Sequence, residues 1–580
     1  MRYPGYNKPD RSTLRGHCGA HLDPNMFGCN SIARTAVLYL GLLSLLVQQV
    51  VGAQRSNVLV VIVDDLRQMR DHVDVITPHM DAFFAEAAVM TEAHCDAPHC
   101  GASRTALLTG RPPHESGAYG FVDHTKLHSF DHASTIPGYF KANGFDSYLA
   151  GKVFHNKSFR VRSSDCTKVL CDQSHRGFEN GKKGHDASAP GSGDRWGPST
   201  GIPIERWDDF ETVRIFLEML SNRTTNGTTK PWFGMVGIYK PHLPLVAPKQ
   251  FFDLYDPATL AVPSVPVGDM DDVPTAAIVP SKYHDHRKLL VNGDMPGYYH
   301  AYLATVSYAD HIFGHLMQGL DNSAFVNNTA VVFMSDHGFQ LGEKNAVRKF
   351  SLHRESTRVP MAFRAARSSS RQLGRGNFSA PVANIDVFRT LADLAGLPAP
   401  SDQRIRGRSL VPLIEEGATP GAFDTNIPAL TTNGRDNYGL AFETMKYNRF
   451  FDGSEEVYNI SADPDCHTNL ADAPDYQAWK TAATAYFPAS SHRNLCIRGG
   501  SCGKIFCTDY PSGLTPAWRR QLDDFFDGGG GQPPNLLASS PNTCDISPRP
   551  APELSAAPVP AAQPTFLILV LVGALYVLGH

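Results

Sequence analysis

The chain lacks a dominant charge. Its 53 Lys and Arg face 57 Asp and Glu, a formal net charge of −4 over 580 residues. No bulk field draws it to nucleic acid, and any polyanion site has to be local, built from a few Lys, Arg and His. A long apolar run is missing too. The two strongest, Ala36–Val47 and Phe566–Leu578, fall short of the about 20 residues that span a bilayer. There is no internal repeat. Cysteine lacks an even count, with eleven in the chain. What remains is ordinary for a globular protein with a large core: 42% hydrophobic and 19% charged residues, in a length that suits two domains.

The two apolar runs flank the body. Ala36–Val47 follows Arg34 and is followed by Val51-Gly52-Ala53, small residues that suit signal-peptide cleavage near Gln54. Residues 1–53 are expected to be leader and signal peptide, with Met1 or Met26 as initiator. At the other end no Lys or Arg follows Phe566–Leu578, and Ser555-Ala556-Ala557 lies in Pro- and Ala-rich sequence upstream. That layout suggests a glycolipid-anchor signal; a single-span tail and an uncleaved end are the competing readings. Secretion fits six Asn-x-Ser/Thr sequons, at Asn156, Asn222, Asn226, Asn327, Asn377 and Asn459. Cys18 and Cys29 fall in or before the leader. With Cys100 set aside as a free thiol, eight cysteines remain for disulfides: Cys95, Cys166, Cys171, Cys466, Cys496, Cys502, Cys507 and Cys544. The expected location is the secretory pathway, then extracellular, surface-anchored or lysosomal.

Along the body, Asn57–Val63 (NVLVVIV) reads as a central strand covered on both faces, and it ends in Asp64-Asp65. Open α/β sheets place ligands at such strand ends, and paired carboxylates suit a divalent cation; a strand-ending turn is the bland reading. Cys100 stands where a Pro- and Gly-marked loop enters a short helix, with Arg104 one turn on, and Gly110 stops that helix. A helix N-terminus favours an anion beside a reactive sulfur. A strand over Phe145–Leu149 runs into Lys152 and His155, and one over Trp232–Tyr239 leads to His242 between two prolines. Thr329–Met334 is a second buried strand, ending in Asp336 and His337, and Lys349 follows. Helices are expected at Thr77–Ala88, Thr135–Asn143, Tyr298–Leu320 and Ile385–Leu397. Residues 160–206 read as a surface excursion, and shorter elements begin past about residue 420.

In chain order, Val63-Asp64-Asp65, Cys100-x-x-Ser103-Arg104 with Leu108-Thr109-Gly110-Arg111, Gly151-Lys152-Val153-Phe154-His155, Lys240-Pro241-His242, Ser335-Asp336-His337-Gly338 and Arg348-Lys349 resemble the sulfatase family. The Lys152 and His242 segments look most like the iduronate-2-sulfatase branch. The resemblance implies an α/β fold, an alkaline-phosphatase-like large mixed sheet flanked by helices, with a smaller C-terminal α+β subdomain. The change to shorter elements near 410–435 and the Gly- and Pro-rich sequence from Asp527 suggest a catalytic domain at 54–425, the subdomain at 426–530, and a disordered linker with the anchor signal at 531–580. The resemblance further implies that Cys100 is oxidised to formylglycine by a formylglycine-generating enzyme. One Ca²⁺ would be held by Asp64, Asp65, Cys100, Asp336 and His337. Arg104 and Lys152 would stabilise charge, His155 would act as a base, and His242 and Lys349 would bind sulfate and protonate the leaving oxygen. The substrate implied is a sulfated carbohydrate. Two departures stand out: Ala102 replaces the family's usual Pro, and Lys344 and Val347 replace a usual His and Trp. A phosphoester or phosphonate hydrolase on the same scaffold and a catalytically silent glycan binder are the alternatives, the Cys arguing for sulfate.

Overall fold

The computed structural model describes residues 55–68, 75–120, 134–155, 173–175 and 196–489. The segments expected to be leader and anchor signal, Asn156 and six of the eight cysteines assigned to disulfides lie outside them. No helix among the described residues is long and apolar enough to cross a membrane.

The run NVLVVIV forms strand β1 (Asn57–Val63), and all seven residues are buried. Its alternating side chains feed two separate cores, as a period of two demands. Leu59, Val61 and Val63 face one apolar cluster, and Val58, Val60 and Ile62 face the other. At about 1.5–3 kcal/mol per fully buried aliphatic side chain, this strand is a large contributor to stability.

Seven more strands complete the main sheet: β2 (Ala88–Met90), β3 (Asp146–Gly151), β4 (Gln173–His175), β5 (Trp232–Ile238), β6 (Thr329–Ser335), β7 (Met361–Arg364) and β8 (Gly376–Phe378). The order is β8-β2-β7-β6-β1-β5-β3-β4. β1 pairs parallel with both β5 and β6, and β7 runs antiparallel to its neighbours β6 and β2. Helices α1 (Pro78–Ala85), α3 (Asp208–Thr225) and α4 (Met295–Asp321) cover one face. Helices α2 (Cys100–Thr109) and α5 (Asp386–Leu394) cover the other. The expected mixed sheet flanked by helices is therefore present.

A separate antiparallel sheet follows, β9 (Ala429–Thr432), β10 (Tyr438–Ala441), β11 (Met445–Arg449) and β12 (Glu455–Asn459), in that order. It packs Tyr447 and Phe487 near the helix Gln477–Ala483. Thr432 N–H donates to Asp96 O at 2.8 Å and the Thr431 hydroxyl to Cys95 O at 2.6 Å, which ties this sheet to the approach to Cys100.

Two cysteine assignments need correction. Cys95 and Cys466 are buried free thiols. Cys95 packs into an apolar cluster and donates to Ser356 O at 3.7 Å, and Cys466 packs beside Tyr458 and Ile460. Burial among carbon, not a second sulfur, accounts for both.

Candidate active site

The register of β1 on β6 sets Val63 opposite Ser335. The next residues, Asp64-Asp65 and Asp336-His337, therefore leave the sheet side by side. Asp65 takes a left-handed turn at φ 64°, and its N–H reaches Asp336 Oδ1 at 3.3 Å. Leu66 N–H donates to Ser335 Oγ at 3.2 Å, and the Tyr302 hydroxyl to Asp65 O at 2.8 Å. On the other face Asn384 Nδ2 donates to Ser335 O and Asp336 O at 3.1 and 3.2 Å.

Helix α2 brings the sulfur. All ten of its residues are buried, and Gly110 ends it at φ 64°. His99 caps its start, the ring Nδ1 accepting Ala102 N–H at 3.3 Å. Burial keeps the pKa of His99 well below the ordinary value, so the ring is neutral. Arg104 donates to Asp336 Oδ2 at 2.9 Å, to Asp64 Oδ1 at 3.3 Å and to Lys152 O. The lysine in turn sits on Asp64 Oδ2.

Lys152 gets there because two glycines let backbones cross. A Cβ on Gly237 would lie 2.0 Å from Lys152 O, and one on Gly151 would lie 2.2 Å from Gly237 O. Only a residue without a side chain fits either place.

Around Cys100 Sγ stand Lys349 Nζ at 3.1 Å and His337 Nε2 at 3.2 Å. Lys349 also grips Asp65 Oδ1. Burial alone would raise the Cys100 pKa, but Lys152, Lys349 and His337, with a hydrogen bond from His155, hold it well below the ordinary thiol value. Burial lowers the pKa of His155, with the Cys100 sulfur opposing. His337 is driven to about 9 despite burial, chiefly by Asp336, while burial raises Asp336 to about 6. The Nδ1–H of His337 donates to Gly338 O at 3.0 Å, and that of His242 to Leu243 O at 2.6 Å. A carbonyl only accepts, so in both rings Nε2 is the nitrogen left for chemistry.

The ten sequence-predicted site residues thus converge on one centre. Asp64, Asp65, Cys100 and His242 offer ligand atoms within 4.8 Å of one another, as do Asp64, Cys100, Asp336 and His337. Charge alone does not require an ion, since Arg104, Lys152 and Lys349 already face three carboxylates. The stronger sign is Asp65 Oδ2, fully buried and without a hydrogen-bond partner. An orphaned carboxylate oxygen among hard donors fits a divalent cation such as Ca²⁺. Sequence reasoning missed the supporting residues His99, Asn384, Asp209 and Tyr239. His is an uncommon helix cap, and the other three act through backbone atoms and ring contacts that no motif encodes.

A profile of the family described as Sulfatase matches residues 56–397. A protein named sulfatase from Formosa agariphila is 30% identical over 459 residues, covering 75% of this chain and 87% of its own. Mouse iduronate 2-sulfatase is 30% identical over 389 residues, covering 59% of this chain and 69% of its own. Among solved structures, a phosphonate monoester hydrolase from Silicibacter pomeroyi superposes with a TM-score of 0.58 at 20% identity, covering 74% of this chain and 94% of its own. That likeness shows the alkaline-phosphatase-like fold.

Proposed function

The chain belongs to the sulfatase family, as a sulfuric ester hydrolase, and from that premise we propose that it removes sulfate from a sulfated glycan in the manner of iduronate-2-sulfatase. The observation that carries the reading is the nucleophile position. Cys100 opens a buried helix with Lys349 Nζ and His337 Nε2 within 3.2 Å of its sulfur, beside carboxylates from two adjacent strand ends.

In this reading Cys100 is converted to formylglycine, and Asp64, Asp65, Asp336 and His337 hold Ca²⁺, with position 100 completing the set. Together these groups supply an oxygen nucleophile and neutralise charge on the sulfate. The chain's own side chains do the rest. Arg104 and Lys152 fix the carboxylates and keep positive charge at the centre. Lys349 meets the sulfate oxygens, and His242, as the imidazolium with Nδ1–H held by Leu243 O, hands its Nε2 proton to the departing alcohol oxygen and is left neutral. His155, neutral because burial disfavours its charge, takes the proton whose removal lets sulfate leave.

The glycan assignment draws support from the likeness to mouse iduronate 2-sulfatase. A secretory location is part of the same proposal, with Asn222, Asn226, Asn327 and Asn377 exposed for glycosylation. A formylglycine-generating enzyme would have to accept Ala102, and the domain limits and the anchor signal given above complete the proposal. Mass spectrometry of the tryptic peptide Asp71–Arg104 from secreted protein tests the conversion. Inorganic sulfate release from 2-sulfated uronides, set against phosphonate monoesters, tests the substrate class. Thiol at position 100 together with turnover of phosphonates alone would overturn it.

A further inference from the structure

We infer that Asp209 and Lys240 form a buried clamp that positions His242 for proton delivery to the leaving oxygen; this rests on the functional reading above. Asp209 lies in the first turn of α3, 5% exposed, and Lys240 is 2% exposed. One carboxylate oxygen of Asp209 accepts Tyr239 N–H at 2.6 Å, and the other accepts Lys240 N–H at 3.1 Å. The Lys240 ammonium turns forward along the loop, donating to His242 O at 3.3 Å and to Pro244 O. The two side chains thereby hold both ends of the segment 239–244.

Everything that orients the imidazole sits inside that grip. His242 N–H donates to Tyr239 O at 3.0 Å. Leu243 O accepts the Nδ1–H of His242 at 2.6 Å and the Tyr239 hydroxyl at 2.8 Å. The Tyr239 ring lies 4.8 Å from the His242 ring and 5.1 Å from Lys152 Nζ. Leu243 O therefore holds the Nδ1 proton of His242, so the proton delivered is a second one taken up at Nε2, and the clamp sets where Leu243 O is. Burying two opposite charges is a poor route to stability, because desolvation offsets most of their attraction; fixing a geometry is the better-attested use. Here the geometry fixed is that of the one loop that carries His242.

Asp209 and Lys240 are positioning residues, so the test has to read proton delivery and not folding alone. Asp209→Asn, Lys240→Met and the conservative Lys240→Arg are assayed on a sulfated monosaccharide and on nitrophenyl sulfate. The sugar is a poor leaving group that needs the proton, and the nitrophenolate is a good one that needs it far less. Expected for Asp209→Asn and Lys240→Met is a fall of about 10–100-fold in kcat on the sugar at little-changed KM, with a much smaller fall on the aryl ester. Lys240→Arg restores part of the sugar activity. Equal losses on both esters, or none on the sugar, overturn the clamp. A measurement on the unaltered protein stands apart from folding: ¹⁵N NMR of His242 should show the proton on Nδ1 in the neutral ring. A proton on Nε2 overturns the proposal. Failure of the functional reading looks different, since the unaltered enzyme would then release sulfate from neither ester while the NMR result stood.

Discussion

The extended segment Ala93–Asp96 and the first turn of α2 each bury a free thiol, five residues apart, and treat it in opposite ways. Cys95 lies among apolar side chains. Burial raises its pKa well above the ordinary 9.0, Asp96 and Asp336 add to that, and Lys446 offsets only part. Cys100 is as deeply buried. Its neighbours are Lys152, Lys349 and His337, and they outweigh burial. Removal from water thus makes a sulfur inert by default, and it takes charge of the right sign, placed by other elements, to reverse that. The charges come from three places: the turn after β3, the end of β6, and the loop past the hairpin of Gln340–Leu341 with Val347–Arg348.

The sharpest way to separate the two thiols is to delete each. Cys100→Ala should lower sulfate release by about 10⁴-fold or more, while Cys95→Ala leaves the rate near that of the unaltered enzyme. A comparable loss from Cys95→Ala would end the distinction. Next in size, Lys349→Ala should cost about 10²–10³ in kcat, read by steady-state kinetics, because it removes the nearest cation from the reaction centre. The third test uses unconverted protein stripped of divalent ions and titrated with iodoacetamide. A lowered pKa keeps Cys100 as thiolate when pH falls below 9.0, and a raised one keeps Cys95 as thiol when pH climbs past it. Labelling at pH 7 should therefore favour Cys100 by more than about 10-fold, measured by peptide mass spectrometry. Asn384→Ala frees the carbonyls of Ser335 and Asp336, and about 10-fold weaker Ca²⁺ affinity is expected by titration calorimetry. Smallest is the stability cost of Cys95→Ala, about 1 kcal/mol from the denaturation midpoint, the signature of a packing residue.

Much of this was legible because strand burial and strand ends are local signals. NVLVVIV announced β1 to the residue, and TAVVFM announced β6 short by Ser335 alone. Strand ends and a helix start pointed to Asp64, Asp65, Cys100, Asp336 and His337, and all ten site residues could be named only because the motifs, taken in order, resemble the sulfatase family. The edges of the sheet were not legible. β2, β7 and β8 are three or four residues long and carry no period of their own, so pairing defines them. Helix α3 went unread: Asp208-Asp209 looks like surface, yet Asp209 is buried because two backbone N–H groups need its carboxylate. The disulfide assignment of Cys95 and Cys466 failed for a related reason. Counting cysteines says nothing about which sulfurs meet, and packing had already enclosed these two.

Gly151 and Gly237 carry a consequence for anyone redesigning this enzyme. They carry no chemistry, yet a methyl group at either would collide with main chain, and at Gly151 with the Thr212 methyl as well. A library that randomises the residues facing the substrate can explore widely, but one that touches either glycine should yield proteins in which Lys152 misses Asp64. At these two positions tolerance to change is therefore set less by distance from the sulfur than by where two stretches of backbone need to touch.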